Sequence, residues 1–345
     1  MYEKFYGLKQ NPFSLSPDPQ FICMTGQHRE ALSGLIYSVC ARPGLTLLVG
    51  EVGTGKTTLL YTLLSFLEKK RYVIAMSTNP RLSQAEFYDF LLTKLEVPCT
   101  SSLKSQQLLA LQETLLRNRE MGRPSILIID EAQKLHPDLM EEIRLLMNLE
   151  TPREKLLQII MAGQPELLEI FQRSELRQLK QRINYFCKLQ PLSVEELREY
   201  LFHRLARAGL PNQSLFSGSA IQTVYEYTKG IPRVVNTLCD NALRAGFAVQ
   251  SQHITSSIIQ EAAADLDLLP SLPPPDISED GDVRLPLVTG DGLARTPLAP
   301  PPPPMHVSGF GRQDQAKQPV RIPMEGYADR QKSLGFLGGL LDWWK

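Results

Sequence analysis

One eight-residue stretch constrains the fold more than any other: Gly50-Glu51-Val52-Gly53-Thr54-Gly55-Lys56-Thr57. It fills every fixed position of the pattern G-x-x-x-x-G-K-[ST]. Before it, Leu45-Thr46-Leu47-Leu48-Val49 is short, apolar and partly β-branched, and reads as a buried strand. After it, Thr58-Leu59-Leu60-Tyr61-Thr62-Leu63-Leu64-Ser65-Phe66-Leu67 reads as a helix. Strand, glycine loop and helix make a phosphate cradle for a physical reason. Glycines let successive backbone N–H groups wrap an anion without Cβ clashes. The helix start adds unpaired N–H donors and the positive end of a dipole. In such a loop Lys56 would reach the β- and γ-phosphates of a nucleotide, and the Thr57 hydroxyl would hold Mg²⁺. The expected binding segment runs from Gly50 to Thr58, holding the phosphates of a nucleotide.

A second stretch supplies the carboxylates. Ser125-Ile126-Leu127-Ile128-Ile129-Asp130-Glu131-Ala132-Gln133 is an apolar strand ending in two acids. A wholly apolar strand suits a parallel sheet buried on both faces, and its end emerges where open α/β sheets bind ligands. Asp130 would complete the Mg²⁺ shell beside Thr57, and Glu131 would orient and deprotonate an attacking water. Another strand candidate, Tyr72-Val73-Ile74-Ala75-Met76-Ser77, lies between the two along the chain. This suits the branch of phosphate-loop ATPases that inserts a strand between loop and carboxylates and uses a glutamate base.

The alternation continues. Strand candidates at 45–49, 72–77, 125–130, 157–162 and 185–189 with helical patterns between them predict an α/β domain over residues 1–190, built on a five-stranded parallel sheet. Residues 191–269 lose strand character. Ser193-Val194-Glu195-Glu196 is a capping-box start for a helix to about Ala208, stopped by Gly209 and Pro211. The signature recurs from Ser219 to Gln222, with Gly230 ending that helix; Ile231-Pro232 opens a third, and Thr255 caps a fourth. Four helices in this space predict a small all-α lid domain. Then composition shifts. Eleven of the 26 prolines fall between Pro270 and Pro304, so residues 270–332 are expected to be a disordered linker. Residues 333–345 form a short apolar end that holds both tryptophans of the chain, a pattern compatible with weak peripheral membrane contact.

The bulk numbers exclude several classes. With 345 residues, 43% hydrophobic and 21% charged, the chain has ordinary globular usage. The formal net charge of zero leaves no global field toward nucleic acid or anionic membrane, though a local patch stays open. Cys23, Cys40, Cys99, Cys187 and Cys239 are odd in number and form no C-x-x-C pair. That speaks against a zinc site or disulfide framework and suits a reducing cytoplasm. No basic-then-apolar leader opens the sequence, and no run of 18 apolar residues occurs. The expected location is cytoplasmic, with peripheral contact at the inner face of the membrane through the C-terminus.

Three further positions have the chemistry to touch a nucleotide. Arg233, in Gly230-Ile231-Pro232-Arg233, opens a helix and would fold back over the phosphates. Gln164, in Gly163-Gln164-Pro165-Glu166, follows an apolar strand; it either bonds the γ-phosphate or lytic water beside Asp130 and Glu131, or belongs to a plain turn. Arg177, Lys180 and Arg182 precede the last strand candidate as a solvated face, or as the source of an arginine reaching a neighbouring subunit's nucleotide. Arg182 is the first choice for that role and Arg177 the reserve.

Together these residues resemble the AAA+ ATPases, and more closely the subgroup known as general secretion pathway protein A or ExeA-like ATPases. The opening Phe5-Tyr6-Gly7-Leu8, Asn11-Pro12-Phe13, Pro17-Asp18-Pro19, Phe21 and His28-Arg29-Glu30-Ala31-Leu32 is similar to that subgroup's start. So are Gly50 to Thr57, Asp130-Glu131-Ala132-Gln133, Gly163-Gln164-Pro165-Glu166-Leu167 and Gly230 to Arg233. The resemblance covers about residues 1–268. It implies a five-stranded core with the phosphate-loop strand central, a helical lid, and nucleotide between them, with the first thirty residues lining the adenine side. It further implies Gln164 as sensor 1, Arg182 as a finger acting in trans, Arg233 as sensor 2, and a homo-oligomer. The implied work is ATP-driven assembly or remodelling of a protein partner in secretion, pilus or exopolysaccharide export machinery. The alternative is an ATP-dependent DNA-binding helper of transposition.

Overall fold

The computed structural model describes residues 2–15, 21–41, 44–210 and 215–270. Pro17 to Pro19, Pro211, the proline-rich stretch from 271 and the apolar end at 333–345 lie outside the described residues.

Five strands form one parallel sheet: β1 (Leu45–Gly50), β2 (Val73–Ser77), β3 (Ser125–Ile129), β4 (Leu157–Gly163) and β5 (Ile183–Leu189). Their spatial order is β2-β3-β4-β1-β5. Every residue of β1, β3 and β4 is buried, as their apolar runs demand, whereas at the edges β2 alternates buried with half-buried positions and β5 includes exposed ones. The order corrects two expectations. The phosphate-loop strand β1 is interior but not central; β4 takes the centre. The strand standing between β1 and β3 in space is also β4, whereas Val73–Ser77, which lies between them in sequence, is an edge. Parallel neighbours are joined by long crossovers, so chain order does not set spatial order.

Helices fill the crossovers. α1 (Tyr2–Phe5) and α2 (Gly26–Ala41) precede β1, and α3 (Lys56–Lys69) follows the glycine loop. α4 (Gln84–Lys94) and α5 (Lys104–Glu120) separate β2 from β3, and α6 (Pro137–Leu146) separates β3 from β4. The short α7 (Glu166–Ile170) and α8 (Arg177–Lys180) lead into β5. The chain then turns helical through α9 (Val194–Arg207), α10 (Gly218–Thr228), α11 (Pro232–Ala248) and α12 (Ser256–Asp265). Ser193 caps α9 in a full capping box with Glu196. For α10 the cap is Ser217, whose hydroxyl accepts from the Ala220 N–H, so that helix starts ahead of the Ser219 signature. It ends at Lys229 in the left-handed conformation, φ 51°.

The apolar residues condense into two clusters. One packs β1 to β4 against α4, α5 and α6, through residues such as Leu47, Leu127, Met161, Leu91 and Ile143. The other unites α9 to α12 through Leu201, Val224, Leu238 and Ile259, and it also contains Tyr2, Tyr6, Leu8, Phe13 and Phe21. The N-terminal aromatics, grouped with the sheet in sequence, thus pack into the helical half. Phe13 meets Phe216 edge-on at 6.0 Å, and Phe5 meets Phe247 at 5.3 Å. The Tyr2 hydroxyl and the Asn11 amide both donate to Asp240 Oδ1, at 2.6 and 3.0 Å.

Candidate active site

The glycine loop leaves the carboxyl end of β1 and closes on itself. Thr54 Oγ1 donates to the Glu51 carbonyl at 2.8 Å, and Gly55, left-handed at φ 97°, occupies the N-cap of α3. Lys56 is buried, and its ammonium donates to the Gly50 and Glu51 carbonyls at 2.7 and 2.8 Å. Burial pushes its pKa down, while the nearby carboxylates of Glu131 and Asp130 work against that. Thr57 Oγ1 donates to Asp130 Oδ2 at 2.6 Å across a separation of 73 residues. Asp130 is buried, and its other oxygen accepts from the Glu131 N–H at 2.9 Å. A hydroxyl and one carboxylate are hard oxygen donors, the set that suits Mg²⁺ when phosphates and water complete its shell.

Glu131 sits at φ 54° as the chain turns off β3. Its carboxylate takes bonds from Gln133 Nε2 at 3.0 Å and Lys134 Nζ at 2.8 Å. The bond from Lys134, then its charge and the bond from Gln133, hold the Glu131 carboxyl below the usual carboxylate range against partial burial. The carboxylate faces a cleft of about 390 Å³. One wall is the glycine loop and the start of α3; the other combines Phe21 to Met24 with Tyr200, Arg204 and the start of α11. Arg233 lines it, and its N–H donates to the Gly53 carbonyl at 3.2 Å. Gly53 (φ 82°) permits this approach, because a Cβ there would lie 2.7 Å from that of Arg233.

The loop, Asp130, Glu131 and Arg233 therefore come together. Gln164, Arg177 and Arg182 stay outside the cleft wall. Gln164 stands at the end of β4, where its N–H donates to Gln133 Oε1 at 3.1 Å. Arg177 is exposed in α8. Arg182 is half-buried just before β5, where its charge contributes to lowering the Glu150 carboxyl, behind the larger effect of Lys155.

Residues 40–171 match the family described as AAA domain, a span holding the loop, both carboxylates and Gln164. General secretion pathway protein A of Aeromonas hydrophila is 40% identical over 267 residues. That alignment takes in 77% of this chain and 48% of the relative, so the chain spans about half the length of the curated relative it matches. The chain carries an AAA domain and is a relative of general secretion pathway protein A. Solved structures agree on the fold. The Cdc6p of Pyrobaculum aerophilum superposes with TM-score 0.57 at 17% identity, over 74% of this chain and 70% of that one. The Aeropyrum pernix ORC2 protein in its ADPNP-ADP complexes gives TM-score 0.55 at 14% identity, over 74% and 72%.

Three features of the AAA-domain cleft were not assigned from sequence. Gln133 joins the end of β4 to Glu131, and Gly163 makes room for it, since a Cβ there would lie 2.8 Å from Gln133 Oε1. The side chain was visible in Asp130-Glu131-Ala132-Gln133, but only the turn shows which way it faces. His28 braces the loop from α2: its Nδ1 lies 2.8 Å from Thr25 Oγ1 and its Nε2 lies 3.3 Å from the Thr54 carbonyl. Burial keeps His28 neutral, with its pKa lowered. Arg204 is buried in the opposite wall, and no sequence signal marked it.

Proposed function

We propose that this chain is a Mg²⁺-dependent ATPase that couples ATP binding and hydrolysis to assembly or remodelling of a protein partner. The reading is carried by one observation: the 2.6 Å bond between Thr57 and Asp130, with Lys56 and Glu131 on the same cleft. In this reading the loop N–H groups and Lys56 bind the triphosphate, Lys56 exchanging its loop carbonyls for phosphate oxygens. Thr57 and Asp130 would hold Mg²⁺, which neutralises charge on the phosphates. Glu131 orients a water and takes its proton through Oε1, since Lys134 and Gln133 both hold Oε2. Arg233 closes the lid side over the loop. The test is nucleotide affinity and phosphate release for two variants. Lys56→Ala abolishes ATP binding; Glu131→Gln keeps binding and loses turnover, because an amide cannot accept the proton. Wild-type turnover in Glu131→Gln would remove the base assignment.

The similarity to general secretion pathway protein A supports secretion machinery as the setting; pilus or exopolysaccharide export rests on the family resemblance of the sequence. Arg182, outside its own cleft, fits the nucleotide of a second copy of the chain, in a ring or a transient assembly. Turnover per chain then rises with concentration, and mixing Arg182→Ala with Lys56→Ala restores activity at mixed interfaces. Flat concentration dependence without rescue would mean a monomeric enzyme. No helix among the described residues is long and apolar enough to cross a membrane; cytoplasmic location with peripheral membrane contact through residues 333–345 is a proposal resting on their sequence.

A further inference from the structure

The lid-side wall of the cleft holds a polar relay that phosphate binding does not use. Arg204 is 7% exposed, yet its hydrogen-bond partners among the described residues are all neutral. Its Nε donates to the Pro12 carbonyl at 2.5 Å, Nη2 to the Ser14 carbonyl at 3.2 Å, and Nη1 to the Tyr200 hydroxyl at 2.9 Å. The guanidinium lies 5.1 Å from the centroid of the Phe21 ring and 5.3 Å from that of Tyr200. Arginine can only donate. The Tyr200 hydroxyl therefore accepts from Arg204 and keeps its own proton to give. It gives it to Asn236 Oδ1 at 2.9 Å.

This direction of donation fixes the Asn236 amide. Its oxygen is occupied and its nitrogen, carrying two protons, has no acceptor among the described residues. Asn236 is 7% exposed and lines the cleft. The nitrogen is not among the buried atoms left without a partner, so it is reached from the cleft, where a ligand acceptor can take its N–H groups in place of water. Position says which part of a ligand. Arg233 and Asn236 are three residues apart on α11 and share a face, one turn from each other. The Arg233 backbone is bonded to Gly53 of the loop; Asn236 lies a turn further along, beside Tyr200 and beyond the phosphate loop.

We propose that Asn236 binds the nucleoside half of a nucleoside triphosphate, donating its amide N–H groups to an acceptor atom there, and that Arg204 and Tyr200 hold the amide in the donating orientation. The inference rests on the nucleotide reading above and adds a contact that reading does not contain.

The test compares ATP with inorganic tripolyphosphate, a ligand with the phosphates and no nucleoside. Both are titrated into the full chain by calorimetry, with urea unfolding run on each variant. In Asn236→Ala, ATP affinity falls roughly tenfold, the loss of one well-placed hydrogen bond, and tripolyphosphate affinity is unchanged. Asn236→Asp keeps the shape and loses the donor, so it weakens ATP at least as much. Tyr200→Phe removes the fixed orientation and gives a smaller loss, again for ATP alone. The inference is overturned if both Asn236 variants bind ATP like wild type, or if they lose ATP and tripolyphosphate equally, which marks a structural asparagine. A wild-type chain that binds neither ligand overturns the nucleotide reading and this one with it.

Discussion

The two walls of the cleft are built by opposite means. On the sheet side the charged groups meet each other: Lys56 lies among carboxylates, Thr57 is bonded to Asp130, and Glu131 is bonded to Lys134. Several of those contacts are local, with Lys56 reaching a carbonyl six residues away. On the lid side the buried cation Arg204 meets carbonyls, a hydroxyl and aromatic faces, and its bond to Pro12 spans 192 residues. The sheet side is the wall proposed above to hold the phosphates. The lid side is a strap, in which residues 2–15 are tied onto helices from later in the chain. Contacts within one stretch, such as Lys56 to Gly50, survive changes elsewhere; those that span the chain, Thr57 to Asp130 on one wall and Arg204 to Pro12 on the other, depend on a few side chains.

The sharpest way to break this contrast is to cut the strap. Arg204→Leu leaves the Pro12 and Ser14 carbonyls and the Tyr200 hydroxyl without a donor, and should cost about 3 kcal/mol in stability. Urea unfolding reads this directly. An unchanged midpoint would mean that the aromatics alone hold the N-terminus in place.

A smaller effect is expected at Gln133 on the sheet side. Gln133→Ala should lower turnover roughly tenfold at unchanged ATP affinity, because Glu131 loses a positioning partner rather than the ligand losing a contact. The bond from Gln133 helps to lower the Glu131 carboxyl. Its removal should therefore move the acid limb of the kcat–pH profile to higher pH. A fall in turnover with an unmoved limb would assign Gln133 to the fold alone.

The smallest effect concerns His28. Its folded pKa is depressed below the ordinary 6.5, so the unfolded chain takes up the proton first as pH falls. Its contribution is present above pH 6.5 and is lost as the pH drops through and below that value. Unfolding measured between pH 7.5 and 5.5 should show a decline of under about 1 kcal/mol from this group, flattened in His28→Gln. An identical decline in the variant would place the titration elsewhere.

Much of the sheet side was legible because its chemistry is written in contiguous stretches. Gly50 to Thr57 and Ser125 to Gln133 announce strand, turn and ligand types together, and the capping box at Ser193 marks a helix start within four residues. The order of strands was not legible: β4 and β2 are both apolar runs, and only packing decides that β4 takes the centre. Arg204, Tyr200 and Asn236 carry no local signature, since an arginine four residues from a tyrosine on a helix is ordinary surface composition.

By itself, the sequence determined the α/β phosphate-loop class, the five strands, the cradle with its lysine and hydroxyl, the carboxylate pair and the helical character of the lid. These follow from short-range physics: side-chain periodicity, glycine conformation and helix capping. Tertiary structure alone decided that β4 separates β1 from β3, that the N-terminal aromatics pack into the lid, that Gln133 ties β4 to Glu131, and that Arg204 orients Asn236. Each of those depends on which distant segments pay the entropy of coming together, and that depends on how the whole apolar surface is buried.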